Sequence, residues 1–330
     1  MKKYIALTLV LVLALFAFAG CGAKPVKTGL GVVSSIGSST EPGEKDGNAQ
    51  VDSVVAAVLV GADGKILSCR IDTAQTKIAF NAQGAITTPL DSVIKSKQEK
   101  GPEYNMKPVS GIGKEWNEQA DAFAAYVVGK TVDEVKTIAL NEEGAPSGAD
   151  IVSSVTIHVT DYIEAIAKAV ANAKDLGAKA GDTLGLGVTT SIAKSTDASA
   201  DAEGLAQASS HYAATTFGKD GKITSCYIDA SQTNVNISAE GKITTDLAST
   251  FKTKNELGPE YNMKPVSGIG KEWNEQADAF GKYVVGKTVD DVKGMALNEG
   301  YPSGADIVSS VTIHVTDMID VVAKAGANAK

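Results

Sequence analysis

A chain of 330 residues with a formal net charge of −8 at neutral pH gains nothing from the phosphate backbones of DNA and RNA, so nucleic acid is excluded as an expected partner. Its three histidines and three cysteines form no HExxH pattern and no Cys/His cluster with metal-ligand spacing, so we expect no metal site.

The N-terminus has the pattern of a secretory signal. Two lysines precede an apolar run over residues 4–19, which predicts a signal peptide over residues 1–20. The segment Phe18-Ala19-Gly20-Cys21 resembles a bacterial lipobox, which implies cleavage before Cys21, a lipid on its thiol and a location on the outer face of the cell membrane. Residues 21–28 would then form a short tether. An ordinary signal peptide followed by a chance cysteine is the alternative.

The rest of the chain is a tandem duplication. Residues 101–123 and 258–280 are identical at all 23 positions, and residues 29–32 recur at 185–188. We therefore predict two complete domains, 29–175 and 185–330, joined by a small polar linker over 176–184. Cys69 and Cys226 occupy equivalent places, and we expect both to be buried, unpaired and strand-borne.

Each unit begins with strand patterns. Residues 51–60 are apolar and β-branched, and Asp63-Gly64 is a strong hairpin signal before a strand in which Leu67, Cys69 and Ile71 share one face. Residues 76–80 and 85–88 predict a second hairpin. The result would be a small antiparallel sheet.

Three helical patterns follow the strands. The first covers 114–128, with one apolar stripe, and the second begins at Thr131 with Glu134 completing a capping box. The third covers 154–174. The stripe of the first helix consists of Trp116, Ala120, Phe123 and Val127, and that of the third consists of Val155, Val159, Ile163, Ile166 and Val170. Strands followed by helices predict an α+β fold, with about three helices packed on each sheet.

A short polar motif precedes the third helix in both copies. Asp150 leads to Ser153-Ser154-Val155-Thr156, and Asp306 leads to Ser309-Ser310-Val311-Thr312. If each first serine is an N-cap, the next three N–H groups lack intrahelical acceptors, and an anion at the threonine would lie in a favourable dipole field. Ordinary helix capping is the alternative.

The motif resembles the flavinylation motif of FMN-binding domains. Such domains occur in flavin subunits of the sodium-pumping NADH:quinone reductase and the Rnf complex, and in secreted flavoproteins. Val155 and Val311 stand where the family usually has alanine. With the lipobox and the repeated block Gly113-Lys114-Glu115-Trp116, the chain is similar to PplA-type flavoprotein lipoproteins of Gram-positive extracellular electron transfer.

The resemblance implies that Thr156 and Thr312 each carry FMN through a phosphodiester bond made by a separate flavin transferase. Asp150 and Asp306 would belong to the motif that the transferase recognises. The four motif serines would hydrogen-bond the linking phosphate; they are Ser153, Ser154, Ser309 and Ser310. Aromatic and thioether side chains of the identical block suit the isoalloxazine ring, and the candidates are Tyr104, Met106, Tyr261 and Met263. Ordinary packing in the core is the alternative role for these side chains. Trp116 is expected in the core. His158 and His314 are solvated residues or flavin and proton-relay contacts.

The resemblance therefore implies a membrane-anchored electron carrier without substrate turnover of its own. Electrons would come from a membrane quinol-linked donor and leave to soluble flavin, ferric iron or a reductase. Two alternatives are a non-redox lipoprotein that binds a solute or peptide between two lobes, and a surface structural protein or adhesin.

Overall fold

The computed structural model describes residues 26–330 and has a mixed α+β fold with two similar tandem units. Each unit has a three-stranded antiparallel sheet packed against helices, which confirms the predicted fold class. The predicted signal peptide and Cys21 lie outside the described residues. Within residues 26–330, no helix is both long enough and apolar enough to cross a membrane.

The two units have the same order of elements, apart from a short hairpin, β7–β8, in the second. The first contains β1 (Lys27–Ser35), β2 (Gly47–Val60), β3 (Ile66–Phe80), α1 (Lys97–Lys100), α2 (Trp116–Tyr126), α3 (Val132–Lys136) and α4 (Thr160–Ala171). The second contains β4 (Thr183–Ser191), β5 (Gly204–Phe217), β6 (Ile223–Ile237), α5 (Lys254–Leu257), α6 (Trp273–Val284), α7 (Val289–Lys293), β7 (Leu297–Asn298), β8 (Tyr301–Pro302) and α8 (Thr316–Ala327). Two short 3-10 turns follow α1 and two follow α5.

The sheets are buried on both faces, because each packs against its own helices and against the other sheet. The layers therefore run helix, sheet, sheet, helix. The core between the sheets draws on both units and includes Leu30, Val55, Ala74, Leu186, Tyr212 and Tyr227. Double burial explains the long runs of buried residues in β2 and β5, which are more typical of covered sheets than of alternating ones.

Ion pairs across this interface come in equivalent sets. Lys168 on α4 lies 3.0 Å from Glu256, and Lys324 on α8 lies 2.6 Å from Glu99. A second set joins Lys174 to Asp278 and Lys330 to Asp121. The same patch on each unit therefore contacts the same patch on the other, as at the interface of a twofold dimer.

The first strand was not predicted, and it begins inside the segment assigned to the tether. Val26 and Thr28 are buried, and Ala178 in the predicted linker packs into the core between the sheets. The glycines of the repeated Gly-Leu-Gly-Val segment allow β1 to approach α4 closely. A Cβ on Gly29 would overlap the carbonyl oxygen of Ala169.

Two details of the predicted sheet were wrong. Val60 pairs with Ile66 whereas Leu59 pairs with Ser68, so Leu67 is the extra residue of a β-bulge and is 43% exposed rather than sharing a face with Cys69. Residues 85–88 form no strand, although Ile86 makes one isolated bridge to Phe80.

Other predictions of local structure are confirmed. The stripe of α2 is buried, and the side chains of Thr131 and Glu134 form the expected reciprocal cap of α3. Cys69 and Cys226 are buried and unpaired, and burial raises the pKa of each thiol to about 12.

Candidate functional site

The Ser-Ser-Val-Thr motif lies in a turn followed by a short irregular segment, so its predicted position at a helix N-terminus is wrong. Helix α4 begins at Thr160 instead of residue 154. Ile151 and Val155 anchor the turn in the core, and burial then alternates through Val155, Ile157 and Val159. These β-branched residues fit a period of two as well as a helical period, and their burial follows the period of two.

A buried glutamine holds the motif threonine in each unit. The backbone N–H and the hydroxyl of Thr156 both donate to Oε1 of Gln119, at 2.8 and 3.1 Å. Thr312 makes the same two bonds to Gln276, at 2.8 and 3.2 Å. Esterification of the threonine would remove the hydroxyl donor but leave the backbone bond in place.

The glutamine is itself fixed by the loop before its helix. The amide nitrogen of Gln119 donates to the Ser110 hydroxyl at 3.1 Å and to the Lys114 carbonyl at 3.3 Å, and its side chain is fully buried. We did not single out this residue from the sequence. The available signal was its place in the 23-residue block that both copies share.

The remaining motif residues lie on the outer side of the turn. Asp150 accepts a hydrogen bond of 2.9 Å from the Tyr126 hydroxyl, which raises the pKa of that tyrosine. The equivalent pair is Asp306 with Tyr283. The pKa of Tyr283 is raised mainly by burial and, to a smaller extent, by the Asp306 carboxylate. The exposed motif residues are Asp150, Ser153, Asp306 and Ser309, and the half-buried ones are Ser154 and Ser310. An external enzyme could therefore reach the turn.

Lysine covers the tyrosine rings that were candidates for isoalloxazine contact. The Lys97 ammonium lies 4.7 Å from the centroid of the Tyr104 ring and 5.4 Å from that of Trp116. In the second unit, Lys254 lies 4.6 Å from the Tyr261 centroid and 5.0 Å from that of Trp273. These cation–π contacts occupy a face of each ring. Met106 packs at the edge of the first core.

Thr312 opens onto a cavity of about 610 Å³, a volume typical of cofactor sites. The predicted residues that line it are Thr312, Met263 and His314, together with the core residue Trp273. Tyr261, Asp306, Ser309 and Ser310 are not among its lining residues. The cavity is also lined by Gln276, His211, Lys254 and Asp317, to which no sequence pattern had pointed.

The surroundings of Thr312 and Thr156 differ in three substitutions between the copies. Val54, Ala145 and Tyr162 stand in the first unit where His211, Tyr301 and Met318 stand in the second. The Trp116 indole donates to the Tyr162 hydroxyl at 2.8 Å in the first unit. In the second, the Tyr301 and His314 rings meet edge to face with centroids 5.4 Å apart.

His211 is a half-buried titratable group of the second site. Its Nδ1 lies 3.7 Å from Oδ2 of Asp317. Burial lowers the pKa of His211 to about 4, and the Asp317 carboxylate acts in the opposite direction. Its imidazole is therefore neutral at neutral pH.

Among residues 26–330, no group of three or more histidine, cysteine or acidic side chains is placed to hold a metal ion. No family model, no curated protein and no solved structure matches the chain.

Proposed function

We propose that this protein is a lipid-anchored, extracytoplasmic electron carrier with FMN esterified to Thr156 and Thr312. It takes electrons from a membrane quinol-linked donor and passes them to an extracellular acceptor such as soluble flavin, ferric iron or a reductase. The observation that carries the proposal is the motif threonine held by a buried glutamine beside a cavity of cofactor size. The first unit has the same threonine and glutamine contact.

The residues around Thr312 fit FMN. Met263, Val266 and Ile313 offer apolar and polarizable contact area for a flat ring. Lys254 is 9% exposed, lines the same cavity and pairs with no carboxylate among residues 26–330. A buried ammonium held only by aromatic faces favours an anionic ligand, because a nearby negative charge offsets the cost of its desolvation.

FMN would supply the one- and two-electron chemistry, and the chain's own residues hold and tune it. Gln276 fixes the backbone at Thr312, so the point of attachment has a defined position. Lys254 places positive charge in the cavity, where negative charge arises on reduction. Attachment to threonine also prevents loss of the flavin by dilution outside a cell.

The alternative of a solute or peptide between two lobes needs an open cleft between them. The facing sheets instead bury apolar side chains against each other along β1–β3 and β4–β6. No feature of the described residues specifically favours an adhesin. The geometry therefore gives more support to the carrier.

Intact mass of the mature protein tests the proposal. Protein made with a flavin transferase should gain two increments, each of one FMN less one water, and the yellow colour should persist after denaturation and removal of small molecules. The matched control is the Thr156→Val/Thr312→Val double variant, which should stay colourless under the same conditions. An unmodified wild-type mass, with an active transferase, would refute the attachment.

A further inference from the structure

We propose that the second site takes up a proton on His211 when electrons enter its cavity, and that the first site lacks this step. The inference rests on the proposed function and deepens it, because it makes the two redox sites chemically different. It follows from His211 in place of Val54, one of the three substitutions that distinguish the surroundings of the two threonines.

The first observation is the position of the imidazole. His211 on β5 lines the same cavity as Thr312, and the His211 and Trp273 ring centroids are 6.5 Å apart. Its side chain is only 16% exposed, so a charge that arises in the cavity is weakly screened by water. The imidazole is thus a shielded titratable group through which the second cavity can respond to charge.

The second observation is the set of charges that face this ring. Asp317 on α8 favours the protonated imidazole, whereas Lys254 on α5 and His314 before α8 oppose it. Asp320 and Lys324 on α8 line a second cavity that His211 also borders, and Lys324 pairs with Glu99. The strand neighbours Thr189 and Ala230 carry no charge. Burial dominates this balance and keeps His211 neutral until further negative charge enters the cavity.

The third observation is the first unit. Val54 is 6% exposed and packs in the core formed with the helices of its own unit. Asp161 stands where the second unit has Asp317, and Lys97 stands where it has Lys254. The first site therefore keeps the lysine and the carboxylate but has no imidazole between them.

The step balances with a donor of the hydroquinone class, which releases two electrons and two protons as it becomes a quinone. At the second site, two electrons and one proton enter the cavity, and the second proton binds the neutral His211 ring. Both ring nitrogens then carry protons, and Asp317 faces the imidazolium. At the first site, two electrons and one proton enter, and the second proton goes to solvent.

Single-flavin proteins separate the two sites. Full-length mature Thr156→Val protein keeps only the second flavin, and Thr312→Val protein keeps only the first. Each would be reduced at pH 7 with a stoichiometric hydroquinone analogue in weakly buffered solution containing a pH indicator. The Thr156→Val protein should retain about one more proton per two electrons than the Thr312→Val protein. Nitrogen-15 NMR of labelled histidine should show His211 neutral before reduction and protonated after it.

Residue exchange provides the matched controls. His211→Val in the Thr156→Val background should abolish the extra proton, and Val54→His in the Thr312→Val background should create one beside Asp161. If Val54→His fails to fold, His211→Gln replaces it as a second removal of the titratable ring. Equal proton counts at two loaded sites, or a His211 that stays neutral after reduction, would overturn this inference alone. Absence of the flavin mass increments would overturn the proposed function and this inference with it.

Discussion

The two units are identical over the block that holds the threonine, yet they differ where a cofactor ring would lie. Gln119 and Gln276 make the same pair of bonds to their threonines. His211 on β5 and Tyr301 on β8 have no counterparts in the first unit, where Val54 and Ala145 stand. The comparison separates two roles. In the proposed carrier, the shared block would fix where the flavin is attached, and the strand and hairpin positions would determine the environment that it meets.

The largest expected effect comes from the attachment residues. Thr312→Val and Thr156→Val should each remove one flavin completely and leave the other at full occupancy, because each hydroxyl serves one unit. Both threonines lie outside the helices, and Thr156 is exposed, so the loss of stability should be about 1 kcal/mol or less. Intact mass and thermal unfolding check both points. Loss of both flavins from one single variant would contradict the separation of the sites.

Equivalent core residues test whether the units unfold together. Phe123→Ala and Phe280→Ala each remove a fully buried ring and should cost about 3–5 kcal/mol. Because the sheets share a core, calorimetry of either variant should show one transition shifted as a whole. Val128→Ala, at a side chain that is 45% exposed, is the control and should change stability by about 0.5 kcal/mol or less. Two transitions, with only one displaced, would show that the units unfold separately.

Each unit has one buried aspartate whose ionisation should make stability depend on pH. Burial raises the pKa of Asp72 to about 6 and that of Asp229 to about 7, and hydrogen bonds from nearby donors oppose this. Their pKa values are higher in the folded than in the unfolded chain. Their stabilising contribution is therefore full below about pH 4 and is lost as the pH rises through 6 and 7.

Replacement with asparagine should remove that loss. Asp72→Asn and Asp229→Asn should each raise stability at pH 8 relative to wild type, on the order of 3 kcal/mol. The gain from Asp229→Asn should keep growing to a higher pH, because the pKa of Asp229 is higher than that of Asp72. Urea unfolding between pH 4.5 and 8 measures the effect. A pH dependence identical to that of wild type would show that these carboxyls titrate normally.

Among the buried residues, the glutamines should give the smallest change in stability, and the same change in both units. Gln119→Leu and Gln276→Leu leave the threonine N–H without its acceptor and should cost about 1–3 kcal/mol each. Flavin attachment at the altered unit should also slow, because the threonine loses its fixed position. Gln83→Leu, at an exposed turn, is the control for the substitution itself. Flavin attachment at the wild-type rate would show that the glutamine contributes to packing and does not position the threonine for attachment.

Much of the sheet and of the first two helices was predictable because the signals are local. Asp63-Gly64 forms a turn, and Thr131 with Glu134 caps α3, through contacts between residues that are close in the chain. Strand β1 was missed because its two glycines lower the strand signal and are explained only by the helix that packs on them. The start of α4 was wrong because Val155 and Val159 fit two periods at once.

The site was predictable only in its motif. Thr156 and Thr312 could be selected from the sequence, but their glutamine partners lie 37 and 36 residues away, on α2 and α6. His211 and Asp317 are still farther apart and meet only because α8 packs on β5. Long-range packing of this kind leaves no local spacing in the sequence.

The reciprocal ion pairs between Lys168 and Glu256 and between Lys324 and Glu99 bear on which units can pair with each other. Were the units separate chains, such self-complementary patches would allow like to pair with like, and a population of mixed dimers would form. Covalent fusion prevents this mixing. Every molecule contains one unit of each kind in a constant ratio and at a constant separation, so two sites that have diverged always remain neighbours.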